Sequence, residues 1–208
     1  SGILISVVLV WDSLFRSHVS YTLSFLEEMW SRNLGNLFVA PLRAWELILA
    51  LASISLIRTL IGMVPAALLA IPFFGVSVFE MGIPLLAFFL NLVFTGWAIS
   101  QMVTGILIRY GLGAESLTWG IPFMIAPVAC SYYPLSTLPD WMQQIAKLVP
   151  TSYVFEGMRS LLLQGEWRAD LLMNAFMLNC IYFSLGLYVF FFCFHSARKN
   201  GLLLQSGE

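Results

Sequence analysis

Residues 47–79 read LILALASISLIRTLIGMVPAALLAIPFFGVSVF, and Arg58 is the only charged side chain among them. A helix needs about 20 apolar residues to cross the roughly 30 Å hydrocarbon core of a bilayer, so this run is long enough with residues to spare. Four other runs in the chain have the same character. The sequence therefore predicts membrane spans at about 3–26, 47–74, 82–108, 116–135 and 171–194.

The composition of the whole chain agrees with a membrane environment. Of the 208 residues, 60% are hydrophobic and 10% are charged, whereas about one quarter of a soluble domain is charged. Backbone groups in lipid must be hydrogen-bonded internally, and continuous apolar runs favour helices over the alternating strands of a β-barrel. We expect an all-α membrane protein, a polytopic helical bundle in which residues 1–208 form a single transmembrane domain.

Several function classes are disfavoured by the residues present. A formal net charge of −1 gives no positive field for nucleic acid. Cys130, Cys180 and Cys193 lie in apolar runs without metal-ligand spacing, so we interpret them as core residues. His18 and His195 are the only histidines, and the chain has no zinc-protease, nucleotide-binding or GxSxG motif. We therefore predict no catalytic residue, no metal site and no cofactor in this chain.

The distribution of basic residues predicts the orientation. One side of the predicted membrane collects Arg32, Arg43, Arg109, Arg198 and Lys199. The long segment on the other side holds Lys147, Arg159 and Arg168 among many residues, together with acids. Because positive charge favours the cytoplasmic side, we expect the 27–46 loop and the C-terminus to be cytoplasmic. The chain opens with Ser1 and Gly2 rather than Met, so we expect an upstream span, with five of six spans visible here.

The 27–46 loop contains a short amphipathic pattern. Leu34, Leu37 and Phe38 lie at i, i+3 and i+4, and Pro41 follows. This spacing predicts a short helix that ends near the proline. From periodicity alone, that helix either lies on the lipid surface or docks against a partner protein.

Residues 136–168 predict two short helices around Pro150 before the last span. The first has an apolar stripe of Trp141, Ile145 and Leu148, and the second has Tyr153, Met158, Leu161 and Leu162. Glu156 and Arg159 lie together on the opposite side of the second helix, at i and i+3. Neither helix is long enough to cross, so we expect an external hairpin that dips into the outer leaflet or caps the bundle.

Three charged residues fall inside predicted spans. Asp12 and Arg16 are one turn apart in the first span, and Arg58 lies in the second at a comparable depth, judged from helical rise. Intramembrane charge must face the bundle interior, a water-filled path or a partner. We interpret these residues as a structural pair, Asp12 with Arg16 or Asp12 with Arg58, and keep a role in lining a transport path as the alternative.

Two stretches resemble a known family. Residues 25–46, FLEEMWSRNLGNLFVAPLRAWE, resemble the cytoplasmic loop of type-2 ATP-binding-cassette (ABC) exporter permeases, with an acidic and aromatic start and a Pro-Leu-Arg before the Glu that opens the next span. The second stretch runs from LPDW at 138–141 through LVPTSY at 148–153 to Glu156 and Arg159. It is similar to the re-entrant external helices of that family. Both occur in the family's order and on the predicted sides.

The resemblance implies a six-span subunit that pairs with a second permease copy, as a homodimer or heterodimer, and binds two cytoplasmic ATPase subunits that hold ATP and Mg²⁺. The implied coupling helix, which sits in a cleft of the ATPase, involves Glu28, Arg32, Asn33, Leu34, Asn36, Leu37, Phe38 and Pro41. The implied external hairpin involves Trp141, Pro150, Tyr153, Glu156 and Arg159. Candidate substrate-facing groups are Asp12, Arg16, Arg58, Asn91 and Gln101.

The expected function is therefore that of a non-catalytic permease in a bacterial inner membrane, exporting an amphipathic, glycan or drug-like substrate. An ATP-independent channel or secondary transporter, using Asp12, Arg16 and Arg58, is the alternative from another class. A non-transporting scaffold or an intramembrane enzyme is a third.

Overall fold

The structure, a computed structural model, describes residues 2–33 and 43–199. All regular structure in these residues is helical. The α-helices are α1 (Gly2–Trp30), α2 (Ala44–Phe74), α3 (Ile83–Tyr110), α4 (Ser116–Ile125), α5 (Asp140–Ala146), α6 (Pro150–Gln164) and α7 (Ala169–Lys199). Short 3-10 turns lie at Val78–Met81, Gly111–Ala114, Ala126–Val128 and Leu135–Thr137.

Helices α1, α2, α3 and α7 are each long and apolar enough to cross a membrane. Their bounds contain the predicted spans 3–26, 47–74 and 171–194, and match 82–108 to within two residues at each end. The prediction of an all-α fold is confirmed for the described residues, and the four long apolar helices are consistent with a multi-pass membrane protein.

The fifth predicted span, 116–135, is not confirmed as a crossing helix. Helix α4 has 10 residues, about 15 Å at the α-helical rise, which is half the thickness of the hydrocarbon core. It continues only into the 3-10 turn Ala126–Val128. Pro127 lies in that turn and lacks the N–H that a continuing α-helix requires at this position.

Helices α1, α2 and α3 run antiparallel to one another in chain order. Helix α7 packs beside α3. We name the bundle end at which α1 finishes and α2 begins the loop end; α3 and α7 also finish there. The opposite end, with the short helices α5 and α6, is the hairpin end. Helix α6 packs mainly on α7 and also contacts α3.

Two large buried clusters form most of the core, and a small third cluster joins Met63, Phe89 and Val93. The cluster nearer the loop end joins residues of α1, α2, α3 and α7 around Phe25, Leu51, Leu107 and Phe190. The cluster nearer the hairpin end joins α1, α2, α3, α6 and α7, and is formed by Val7, Val10, Leu14, Ala67, Val78, Met81, Phe88, Leu92, Val154, Phe155, Met158, Leu172 and Ala175. Helix α6 thus closes the core at the hairpin end.

Glycines permit close approach between helices. A Cβ on Gly96 of α3 would lie 3.1 Å from the Leu14 carbonyl oxygen of α1. A Cβ on Gly105 would lie 2.9 Å from the Phe190 Cα, and one on Gly186 would lie 2.7 Å from the Ala98 carbonyl oxygen. Small residues at such contacts are typical of membrane bundles, where van der Waals packing holds helices together.

Candidate functional site

The first charged pair lies near the middle of α1. Asp12 is ten residues after Gly2, about 15 Å along a helix of 29 residues, or about 43 Å. The Arg16 Nε donates to the Asp12 carboxylate one turn earlier. The Arg16 and Asp12 side chains are 44% and 30% exposed, respectively. The pair therefore faces outward from this chain, at the level of the hydrocarbon core.

Gly62 of α2 makes room for the Arg16 side chain. A Cβ on Gly62 would lie 2.6 Å from Arg16 Nη1 and 3.0 Å from its Cδ. The arginine thus lies across the surface of α2, and the outward-facing charge belongs to the α1–α2 side of the bundle.

The second charged pair joins α1 to α2. Arg58 Nη2 lies 3.1 Å from Glu27 Oε2 and Nη1 lies 3.3 Å from Oε1, and both side chains are more than 40% exposed. The alternative of an Asp12–Arg58 pair is wrong. Side chains on a helix lean toward its N-terminus, so Arg58 on α2 and Glu27 on the antiparallel α1 lean toward each other. Asp12 leans away from Arg58, toward the hairpin end.

His18 and Ser17 join α1 to its neighbours through hydrogen bonds. His18 Nδ1 lies 2.9 Å from Ser100 Oγ on α3, and Nε2 lies 3.1 Å from the Thr118 carbonyl oxygen on α4. A carbonyl only accepts, so the Nε2 atom carries the proton. A second hydrogen bond between helices joins α2 to α1: the Ser55 hydroxyl donates to the Ser17 carbonyl over 2.7 Å.

The Thr118 carbonyl needs His18 because of a proline. In a regular helix this carbonyl would accept from the N–H of residue 122, four positions later. Pro122 has no N–H, and the imidazole of His18 takes that place. The sequence contained this signal, a proline four residues after a possible acceptor, but it did not identify which helix would supply the donor.

Asn91 and Gln101 do not face the α1–α2 surface. Asn179 of α7 donates to the Asn91 carbonyl over 3.0 Å and accepts from the Thr95 hydroxyl over 2.7 Å. Gln101 is 1% exposed, next to Gly186 of α7, and neither amide atom has a hydrogen-bond partner among the described residues. Both residues therefore belong to the α3–α7 contact, away from Asp12 and Arg16.

The predicted coupling segment begins at the end of α1. The N–H of Arg32 donates to the Met29 carbonyl and that of Asn33 to the Glu28 carbonyl, each over 3.0 Å. This is a Schellman motif with Arg32 in the left-handed position at φ 56°, which usually favours glycine. Asn33 Nδ2 also donates to the Glu28 carboxylate over 2.7 Å. Leu34, Asn36, Leu37, Phe38 and Pro41 lie outside the described residues.

After this segment, the described chain resumes at Arg43, and α2 begins with a capped helix end. Glu46, in the first turn of α2, accepts from the Arg43 N–H over 2.8 Å. This carboxylate satisfies a backbone donor at the helix start, as in a capping box. The segment 34–42 is thus bracketed by two capped helix ends.

In the hairpin, Glu156 and Arg159 form an ion pair of 2.7 Å between Oε1 and Nη1. Glu156 Oε1 also accepts from the Leu135 N–H over 2.8 Å, and Arg159 Nη2 donates to the Cys130 carbonyl over 3.0 Å. The pair therefore clamps the segment between α4 and α5 onto α6. Burial, followed by the negative charge of Glu156, raises the pKa of the Cys130 thiol to about 11.

The other predicted hairpin residues occupy different surroundings. Pro150 is the first residue of α6, where a missing N–H is tolerated. Tyr153 packs against the hairpin-end core. Trp141 of α5 is 66% exposed, and the other two residues of its apolar stripe, Ile145 and Leu148, are also exposed.

Of the five intramembrane candidates, the structure brings Asp12 and Arg16 together and places Arg58 on the same side of the bundle. Glu27 and Gly62 belong to this surface and were missed by sequence reasoning. Glu27 was predicted to lie in the 27–46 loop but belongs to α1, and a single glycine in an apolar run carries no charge signal. Comparison of the chain with protein-family models and with curated proteins finds no match.

Proposed function

We propose that this chain is the transmembrane permease subunit of an ATP-driven exporter of the type-2 ABC kind. It moves an amphipathic, glycan or drug-like substrate outward across a bacterial inner membrane, with its loop end and C-terminus in the cytoplasm. A separate ATPase subunit binds ATP and Mg²⁺ and hydrolyses the nucleotide. A second permease copy completes the assembly.

One observation carries the proposal: the Asp12–Arg16 pair is partly exposed near the middle of a membrane-spanning helix. Charge exposed to hydrocarbon costs several kcal/mol, so such groups face protein or water. A second permease copy across the α1–α2 side would enclose the pair and create a polar path between the copies. The Glu27–Arg58 pair extends the same polar surface toward the loop end.

The helix ends around the 34–42 segment support the coupling part of the proposal. Force from a partner passes into the bundle only through elements that do not yield. Helix α1 ends in a Schellman motif and α2 begins with a carboxylate cap, and both helices pack into the loop-end core. A push on residues 34–42 would therefore be delivered to α1 and α2, which carry the charged pairs.

The coupling assignment is tested by co-purification with any ABC ATPase that is encoded beside this gene. Replacing Leu37 and Phe38 by Asp removes the apolar face proposed to bind the ATPase, so binding should fall at least tenfold while the permease still purifies as a folded species. The matched control is Leu163→Asp, the same change at an exposed position of α6 at the opposite end. ATPase binding that persists in the L37D/F38D variant would contradict the coupling role.

The second candidate is an ATP-independent channel or secondary transporter, and the same mid-span pair favours it. In that case purified protein in liposomes would carry ions or substrate without nucleotide. Asp12→Asn would abolish this flux, whereas Asp170→Asn would not, because the Asp170–Arg168 pair lies exposed at the start of α7. The absence of any nucleotide-free flux would exclude this candidate.

A further inference from the structure

A groove of about 600 Å³ lies at the loop end, between the start of α2 and the last turns of α7. Its polar lining comes from Arg43, His195 and Arg198, and its apolar lining includes Tyr188, Phe191 and Phe192. It is separate from the α1–α2 charged surface and from the hairpin.

The charged lining of this groove is cationic. Its described lining residues include no carboxylate, and among residues 2–33 and 43–199 neither Arg43 nor Arg198 has an acidic partner within ion-pair distance. The nearest acid in sequence, Glu46, is held by the backbone N–H of Arg43. A third cation lies beside the groove, since the Arg109 guanidinium is 5.8 Å from the ring centre of Phe192. The groove therefore suits an anion.

The aromatic lining extends from the cations toward the membrane interior. Tyr188 is 68% exposed, and its ring stacks on that of Phe192 at 6.3 Å. Tyr188 precedes Lys199, the last residue of α7, by 11 residues, or about 16 Å along the helix. The groove thus has cations at the bundle end and an apolar floor at the depth of lipid acyl chains.

We infer that this groove binds one anionic phospholipid. The phosphate lies between Arg43 and Arg198, where basic side chains at the membrane surface attract anionic headgroups. One acyl chain lies along Tyr188 and Phe192. A free phosphate or a nucleotide would use the cations but would leave the exposed aromatic floor uncovered, so the lining favours a lipid.

Native mass spectrometry of the full chain in detergent, titrated with phosphatidylglycerol or phosphatidylcholine, tests this site. Wild-type protein should retain phosphatidylglycerol in preference to phosphatidylcholine. Arg43→Gln and Arg198→Gln should each raise the apparent Kd for phosphatidylglycerol about fivefold, because one cation near an anionic lipid surface contributes about that factor. Lys199→Gln is the matched control. It removes the same charge one residue further on, outside the groove lining, and should change the Kd less than twofold.

A second arm distinguishes the lipid from a free anion. Tyr188→Ala should weaken phosphatidylglycerol retention, while excess inorganic phosphate should not displace the lipid. The inference is overturned by equal retention of the two lipids, by an equal effect of Lys199→Gln, or by lipid binding that ignores Tyr188 but is displaced by phosphate. Gel filtration of each variant establishes that the exposed substitutions leave the fold intact.

Discussion

Pro122 leaves the Thr118 carbonyl without its helical donor, and His18 supplies a replacement from another helix. In hydrocarbon no water is available to donate a hydrogen bond to an unpaired carbonyl. The His18 contact therefore couples α4 to α1. The polar side chain of His18 is therefore explained by backbone chemistry.

A double-mutant cycle tests this explanation. His18→Leu keeps much of the side-chain volume but removes the Nε2 donor, and should destabilise the protein by about 1–2 kcal/mol. Pro122→Ala restores an N–H four residues after Thr118, so His18→Leu should cost about 1 kcal/mol less in that background. Thermal unfolding in detergent measures both values. An identical cost in the two backgrounds would mean that the His18 contact does not replace the missing helical bond.

Single residues were only partly predictable from the sequence. Asp12 and Arg16 were recognised because i, i+4 spacing places two charges on one helix face whatever the fold. The partner of Arg58 was not recognised. Position along a helix gives the depth of the Cα atom, but it does not give the direction in which a long side chain extends. Asn91 and Gln101 were candidate substrate-facing groups because the sequence does not fix the rotation of α3, which depends on its contacts with α1 and α7.

At the scale of helices, α3 and α7 form the most extensive contact in the bundle. Gly105 and Gly186 bring the two backbones together, and the Asn91–Asn179 hydrogen bonds lie in the same contact. Helix α7 thereby fixes which face of α3 is buried.

Alanine substitutions test the importance of this close approach. Gly186→Ala and Gly105→Ala place a methyl group within 3 Å of backbone atoms, which cannot move independently, so each should lower stability by about 1–3 kcal/mol. Gly120→Ala in α4 is the control, because its Cβ would meet nothing within 4 Å. Detergent melting curves report the difference. Equal melting temperatures for all three variants would show that the contact yields easily.

Helix bounds were well predicted in α1, α2, α3 and α7, and α2 continues through Pro65 and Pro72. The span predicted at 116–135 was not confirmed: hydropathy continues there, but Pro122 and Pro127 each remove a donor from the hydrogen-bond ladder. For the hairpin, turn chemistry at Pro150 correctly separated two short helices. The stripe on α6 packs inward and that on α5 stays exposed, a difference set by what covers each helix rather than by periodicity.

At the scale of the whole molecule, the loop end and the hairpin end should lie on opposite sides of the membrane. In a background without the three native cysteines, Ser136→Cys reports the hairpin end and Lys199→Cys reports the loop end. A membrane-impermeant maleimide should label the first in intact cells and the second only after permeabilisation. Labelling of both from one side would contradict the crossing of α7, which alone connects these two positions after the hairpin.

The sequence by itself determined the apolar character, the helical class and four helices long enough to cross a membrane, because backbone groups in a continuous apolar run are best satisfied within a helix. Tertiary structure decided what local patterns leave open. It set the pairing of Arg58 with Glu27, the contact of Asn91 with Asn179, the burial of Gln101, and the outward exposure of the Asp12–Arg16 pair. These depend on how each helix is rotated and offset against its neighbours, and that follows from contacts between residues far apart in the chain.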